Sequence, residues 1–258
     1  MNSLYCHITG EGKRNLVLLH GWGFNAEIWY SIVPYLRPYF RLYLVDLPGF
    51  GRSQSVTPFT LSKIIQELLP YLPSRACLLG WSLGGLVATQ VALNYPERVS
   101  ALISVASSPC FTARDNWPGI RMSTLISFQK QLSINFKSTI ERFLNLQTIG
   151  LKNAKQDAFK LKTVVLAQPM PPVVILQGGL NILQNVDLRS ALPQLTMPFL
   201  RLYGSLDGLV PRSIAAQLDA AIPNSPSIVI PNAAHAPFIS HPDIFCQHIF
   251  GFAECIQS

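Results

Sequence analysis

Charge is scarce in this chain. Charged residues make up 13% of 258 residues against 49% hydrophobic ones, which excludes a disordered or coiled-coil chain and leaves a compact fold with a large core. Long apolar runs are missing as well. None approaches the ~18 residues needed to cross a bilayer, so no membrane span is expected. The opening Met1-Asn2-Ser3-Leu4-Tyr5-Cys6-His7 has no basic stretch followed by an apolar one, so no secretory leader is expected and a cytoplasmic location is. The cysteines Cys6, Cys77, Cys110, Cys246 and Cys255 are odd in number and scattered, which excludes a disulfide framework and suits reduced core thiols. No Cys-x-x-Cys pair or histidine grouping has metal-ligand spacing, so no metal site is expected. Internal repeats and low-complexity tracts are absent, and the length suits one domain.

What is present is an alternation of short apolar runs with helical stretches. Leu16-Val17-Leu18-Leu19, Arg41 to Asp46 and Ala76-Cys77-Leu78-Leu79 each end in turn residues, and Ala101 to Val105 is a further apolar run. Such a rhythm predicts a mostly parallel sheet flanked by helices, the α/β class. It stops after residue 105. From about 112 to 185 the apolar residues Phe128, Leu132, Phe136, Ile140, Phe143 and Leu144 recur at three or four, which predicts helices. Strand-like runs resume at Phe199–Gly204 and Ser227–Ile230, with a helix near Ser213–Ala221 and another after His241-Pro242. The expected organisation is therefore a core of residues 1–111 and 186–258 interrupted by a helical cap, 112–185.

Gly80-Trp81-Ser82-Leu83-Gly84 stands between a predicted strand and a predicted helix. In that context Gly-x-Ser-x-Gly reads as a turn so tight that side chains are excluded beside the serine, which is thrown outward as a nucleophile. A glycine-rich helix start holding a phosphate is the competing reading. A serine hydroxyl needs a base within reach and a third group to fix the tautomer of that base. Asp207, just past the strand ending at Gly204, and His235, past the next strand, lie in the required chain order. Asp187 and Asp219 fall in helical or connecting stretches, Asp46 precedes the serine, and His7, His241 and His248 sit at a terminus or on the last helix. Donors for an oxyanion are expected at the N–H of Leu83 and that of Trp22 in His20-Gly21-Trp22-Gly23, a loop that His20 braces.

With these residues placed, the chain resembles the α/β-hydrolase superfamily over essentially its whole length. The runs Val105 to Phe111 and Ala233 to Pro242, Trp81 beside the serine, and Glu141-Arg142-Phe143-Leu144-x-Leu146-Gln147-Thr148 are more particular. They are similar to the esterases that cleave the methyl ester of pimeloyl-acyl-carrier protein in bacterial biotin synthesis. The resemblance implies substrate contacts at Trp22, Ser82, Leu83, Phe143, Leu144, Asn145, Leu146, Gln147 and His235. It implies a monomer without cofactor whose transient partner is an acidic acyl-carrier protein, read through basic residues on the cap; neither nucleic acid nor membrane is implied as a partner.

The charge distribution meets that implication. The formal net charge is +7, and between Arg121 and Lys162 stand Arg121, Lys130, Lys137, Arg142, Lys152, Lys155, Lys160 and Lys162 against only Glu141 and Asp157. On one helix Lys152, Lys155 and Lys162 would share a face, with Arg142 on the helix before, and this set is the expected docking surface. A solvated helix face is the plainer reading. Ser138 and Phe159 stand where the family pattern has basic residues, with Lys155 and Lys160 positioned to compensate. A general carboxylesterase and a catalytically silent ligand receptor of the same fold are the alternatives; epoxide hydrolases and dehalogenases carry aspartate where Ser82 stands.

Overall fold

The computed structural model describes residues 4–255, apart from the side chains of residues 136 and 137. Met1, Asn2 and Ser3, and the side chains of Phe136 and Lys137, lie outside the described residues.

Seven strands form one sheet: β1 (Cys6–Thr9), β2 (Arg14–Leu19), β3 (Phe40–Val45), β4 (Ala76–Trp81), β5 (Val99–Val105), β6 (Phe199–Gly204) and β7 (Ser227–Ile230). Their order is β1-β3-β2-β4-β5-β6-β7, and every neighbouring pair is parallel except β1 with β3. Strands covered on both faces should be apolar throughout, and Leu16 to Leu19 and all of β6 are buried. β3 lies on one side of β2 and β4 on the other. The winding therefore reverses between β2 and β4, and the loops leaving their carboxyl ends part to open a crevice.

The core helices are α1 (Val33–Leu36), α2 (Leu61–Leu68), α3 (Leu83–Asn94), α8 (Ser213–Ala221), α9 (Pro237–Ser240) and α10 (Pro242–Cys255). In α2 the buried Leu61, Ile64, Ile65 and Leu68 recur at three and four, and Thr60 caps the helix by accepting from the Lys63 N–H at 3.2 Å. α3 buries nearly every residue from Leu83 to Ala92, as a helix pressed between the sheet and its neighbours must.

Between β5 and β6 the chain leaves the sheet. Residues 110–120 are not helical, contrary to the expectation of helix from 112: isolated bridges pair Thr112 with Ile120 and Arg114 with Trp117, and the Trp117 indole donates to the Cys110 carbonyl at 2.8 Å. Pro118-Gly119 is a poor continuation for any helix. Four helices follow, α4 (Met122–Ile134), α5 (Phe136–Leu146), α6 (Ala154–Leu166) and α7 (Val173–Asn185). They are fastened to the loop after β2. Trp22 Nε1 donates to the Leu176 carbonyl at 2.8 Å, Asn25 Nδ2 to the Val164 carbonyl at 3.1 Å, and Gln168 Nε2 to Glu27 Oε1 at 3.2 Å.

Among the described residues no helix is long and apolar enough to cross a membrane. Of the cysteines, Cys110 and Cys246 are buried, Cys6 and Cys77 half-buried and Cys255 exposed. Burial pushes the Cys6 thiol up to about 11 and those of Cys77 and Cys246 to about 12.

Candidate active site

The turn between β4 and α3 is tight enough that a Cβ on Gly80 would come 2.2 Å from the Gly84 carbonyl oxygen, and one on Gly84 2.2 Å from the Leu19 carbonyl oxygen. Ser82 itself has φ 53° and ψ −117°, a conformation that costs an L-residue energy and survives only where the surroundings impose it. The Ser82 N–H donates to the Val105 carbonyl at 2.9 Å and the Ser107 hydroxyl to the Ser82 carbonyl at 2.8 Å, so β5 and the loop after it hold the strained residue. Leu83 opens α3, where the first N–H groups have no partner inside the helix.

Asp207 and His235 arrive from the loops after β6 and β7. Asp207 Oδ1 accepts from the N–H groups of Leu209 at 2.8 Å and Val210 at 3.0 Å, which fixes the carboxylate and leaves Oδ2 for the imidazole. His235 Nδ1 stands 2.8 Å from Oδ2. An ionised carboxylate only accepts, so the Nδ1 proton points at Asp207 and the Nε2 lone pair faces away from it. Both side chains are buried.

The third loop, after β2, is braced by His20. Its Nδ1–H donates to the Gly21 carbonyl at 2.8 Å, and Nε2 accepts from the Leu47 N–H at 2.9 Å. Only a neutral ring makes both bonds, and burial lowers the His20 pKa in the same sense. Asp46 ties the loop down further, with Oδ1 accepting from Ala26 N–H at 2.6 Å and Oδ2 from Arg52 Nε at 2.8 Å. The Arg52 guanidinium lies 3.5 Å over the Tyr5 ring.

Ser82, His235 and Trp22 line one apolar cavity of about 80 Å³, walled by Phe128, Phe143 and Leu146. The Trp22 ring packs edge-on to Phe143 at 4.8 Å and Phe128 at 5.7 Å. Of the stretch 143–147, Phe143 and Leu146 reach the cavity. Leu144 packs in the core, Asn145 is exposed, and Gln147 is buried with its Nε2 donating to the Phe143 carbonyl at 3.0 Å. Phe111, Ile120, Leu180, Leu183 and Leu209 also line it. Phe111 ends the run Val105 to Phe111 that carries the family resemblance, whereas Ile120, Leu180, Leu183 and Leu209 come from segments that no motif joins. A wider, more polar recess of about 470 Å³ shares Thr124, Phe128 and Leu146 with this cavity and has Arg142 in its wall.

The basic residues do not form the expected single helical face. Gly150, at φ +85°, breaks the chain after α5, and α6 begins only at Ala154, so Lys152 stands in the preceding turn. Lys155 and Lys162 are exposed on α6 and Arg142 on α5, but Lys162 pairs with Glu141 at 3.1 Å. Lys160 pairs with the buried Asp157 at 3.1 Å, and Phe159 between them is 70% exposed. Of the acids set aside as triad members, Asp187 holds Arg189 at 2.7 Å and Asp219 holds the buried Arg201 at 2.7 Å.

Residues 14–242 match the family described by the alpha/beta hydrolase fold. The pimeloyl-[acyl-carrier protein] methyl ester esterase of Pectobacterium atrosepticum is 59% identical over 254 residues, 98% of this chain and 100% of that protein. The chain belongs to this family of α/β-hydrolases. The family member of the same name from Serratia marcescens is also 59% identical, over 252 residues and 98% of each chain. Among solved structures, an esterase from Exiguobacterium antarcticum superposes with a TM-score of 0.89 at 21% identity, covering 100% of this chain and 96% of the other. A bromoperoxidase from Bacillus anthracis gives 0.88 at 20%, covering 98% and 96%. At such identities the likeness is one of fold, and the fold alone does not choose the chemistry.

Proposed function

We propose that this protein is a serine esterase that hydrolyses the methyl ester of pimeloyl-acyl-carrier protein to the free distal carboxylate and methanol. The observation that carries the reading is that Ser82, on its strained turn, and His235, held by Asp207 at 2.8 Å, line the same apolar cavity. The family membership supports the substrate, since relatives at 59% identity bear that activity in their names.

Ser82 Oγ attacks the ester carbonyl carbon while His235 Nε2 takes the hydroxyl proton. Asp207 stabilises the imidazolium so formed. The developing oxyanion is held by the N–H groups of Leu83 and Trp22, whose positions the helix start and the His20 brace fix in advance. The C–O bond to the methoxy group breaks, and His235 returns its proton to the departing methanol. Water, deprotonated by His235, then attacks the acyl-enzyme and frees the acid. No metal or organic cofactor enters these steps.

Residues 112–185 act as a cap over a core of 1–111 and 186–258. The inner cavity takes the apolar acyl chain, and the polar recess beside it takes the arm that tethers the chain to its carrier. Trp22, Phe143 and Leu146 touch the chain, while Leu144, Asn145 and Gln147 shape the wall from behind. Arg142, Lys152, Lys155 and Lys162 steer a transient, electrostatic encounter with the acidic carrier protein, and the enzyme works as a cytoplasmic monomer. The alternative, a general carboxylesterase without a carrier partner, draws on the Lys162–Glu141 pair and on Ser138 and Phe159, which thin the basic surface.

A fluorophosphonate probe tests the chemistry. It should form one adduct, on Ser82, and Ser82→Ala should abolish both the adduct and hydrolysis of p-nitrophenyl butyrate while leaving thermal unfolding intact. Turnover retained by Ser82→Ala in a clean preparation would refute the reading.

A further inference from the structure

Trp81 ends β4 one residue before Ser82, and its side chain is buried, with 1% exposed. The indole N–H donates to the main-chain carbonyl of His235 at 2.8 Å. Its ring centroid lies 5.6 Å from that of the His235 imidazole, 5.2 Å from Phe238 and 4.8 Å from Phe24. On another side it meets Gly21, where an added Cβ would come 3.0 Å from Trp81 Cε3 and 3.2 Å from Cζ3. One side chain therefore touches the loop after β2 and the loop after β7, and its own backbone leads into the turn after β4. Phenylalanine would keep an aromatic ring there, but it is smaller and carries no donor. Only tryptophan joins this breadth of ring to an N–H at its far edge.

The consequence concerns His235. Its ring is tied to Asp207 through Nδ1 at 2.8 Å, and its backbone is tied to Trp81 through the carbonyl. With the first anchor alone the residue keeps its tautomer but can pivot about the Nδ1 contact, carrying Nε2 away from Ser82. The carbonyl belongs to a residue only 2% exposed, so losing its donor would leave a buried acceptor unpaired and press the loop to move.

We propose that Trp81 is a positioning residue: its indole N–H holds the base in register with Ser82, while its ring holds the Gly21 segment, and with it the Trp22 N–H, against the same point. This rests on the Ser82–His235–Asp207 reading above. The role needs no contact between Trp81 and substrate, so it acts on turnover and not on substrate binding.

The test is an isosteric deletion. Site-specific incorporation of 3-benzothienylalanine at position 81 puts sulfur where the N–H stands and keeps the ring, and 5-fluorotryptophan keeps the N–H. On p-nitrophenyl butyrate the benzothienyl protein should lose about tenfold in kcat with KM unchanged, since small misplacements of reacting groups are costly. Fluorophosphonate labelling of Ser82 should slow in parallel. The fluorotryptophan protein should keep the parent kcat, and Trp81→Phe should fall at least as far as the benzothienyl protein. A benzothienyl kcat within about twofold of the parent, or a raised KM at unchanged kcat, would overturn the proposal, the latter making Trp81 a pocket wall. Loss of activity together with loss of cooperative unfolding in both deletion variants would also overturn it, because the role would then be structural. Ser82→Ala separates the two ideas: its retained turnover removes the catalytic reading, whereas an inactive Ser82→Ala beside a fully active benzothienyl protein removes only the role of Trp81.

Discussion

At Gly84 one added methyl group decides whether the turn can close. Because its Cβ would meet main-chain oxygens of Leu19 and His20 at 2.2 and 2.5 Å, Gly84→Ala must displace the loop after β2 as well as the turn. Gly84→Ala is expected to cost about 3 kcal/mol or more in urea unfolding and to remove most esterase activity. His20 makes a second prediction. Burial lowers its folded pKa below the ordinary 6.5, so under acid the unfolded chain binds a proton that the folded one refuses. The stability tied to His20 is therefore complete above about pH 6.5 and lost as pH falls below it, at up to about 1.4 kcal/mol per pH unit. Unfolding between pH 7.5 and 5 should show this slope reduced in His20→Gln relative to the parent. At this scale the sequence was most legible where the chemistry demands a local pattern, as in Gly80-x-Ser82-x-Gly84. Trp81 was visible only as a neighbour of Ser82, because its partner carbonyl lies 154 residues away.

Among elements, the strands buried on both faces announced themselves as unbroken apolar runs, and the position of Ser82 follows from the reversal of winding beside β4. β1 was missed. Cys6–Thr9 is a short edge strand, half-exposed and held mainly by backbone pairing with β3, so side-chain pattern says little about it. The helices between β5 and β6 were legible by period, but the start of α6 was not, since Gly150 and its left-handed turn shifted Lys152 off the helix. The rings of Trp22, Phe128 and Phe143 close the inner cavity, and its modest volume predicts a preference for short acyl chains among p-nitrophenyl esters. Phe143→Ala should raise the octanoate-to-butyrate ratio of kcat/KM on the order of tenfold, the range expected for apolar contacts in a pocket. A parent that cleaved long chains far faster than short ones would contradict this assignment of the cavity.

Across the whole molecule two groups of basic residues stand out. The exposed Arg142, Lys152 and Lys155 lie on α5, in the turn before α6 and on α6 itself. Lys13, Arg14 and Arg75 gather around a cavity of about 260 Å³ lined also by β-strand and α10 residues, a grouping that only folding creates. If the first group steers an acidic carrier, Arg142→Glu with Lys155→Glu should lower kcat/KM on the carrier-linked ester on the order of tenfold while sparing p-nitrophenyl butyrate. The carrier-linked rate of the parent should also fall with added salt, as screened encounters do. Equal effects on both substrates would favour the general esterase. The most direct test is to incubate methyl pimeloyl-acyl-carrier protein with the parent enzyme and with Ser82→Ala and to follow the intact carrier by mass. The parent should convert the carrier species to the free acid, lighter by one methylene, and Ser82→Ala should leave the ester untouched. An unchanged ester with the parent, or equal conversion by both proteins, would contradict it.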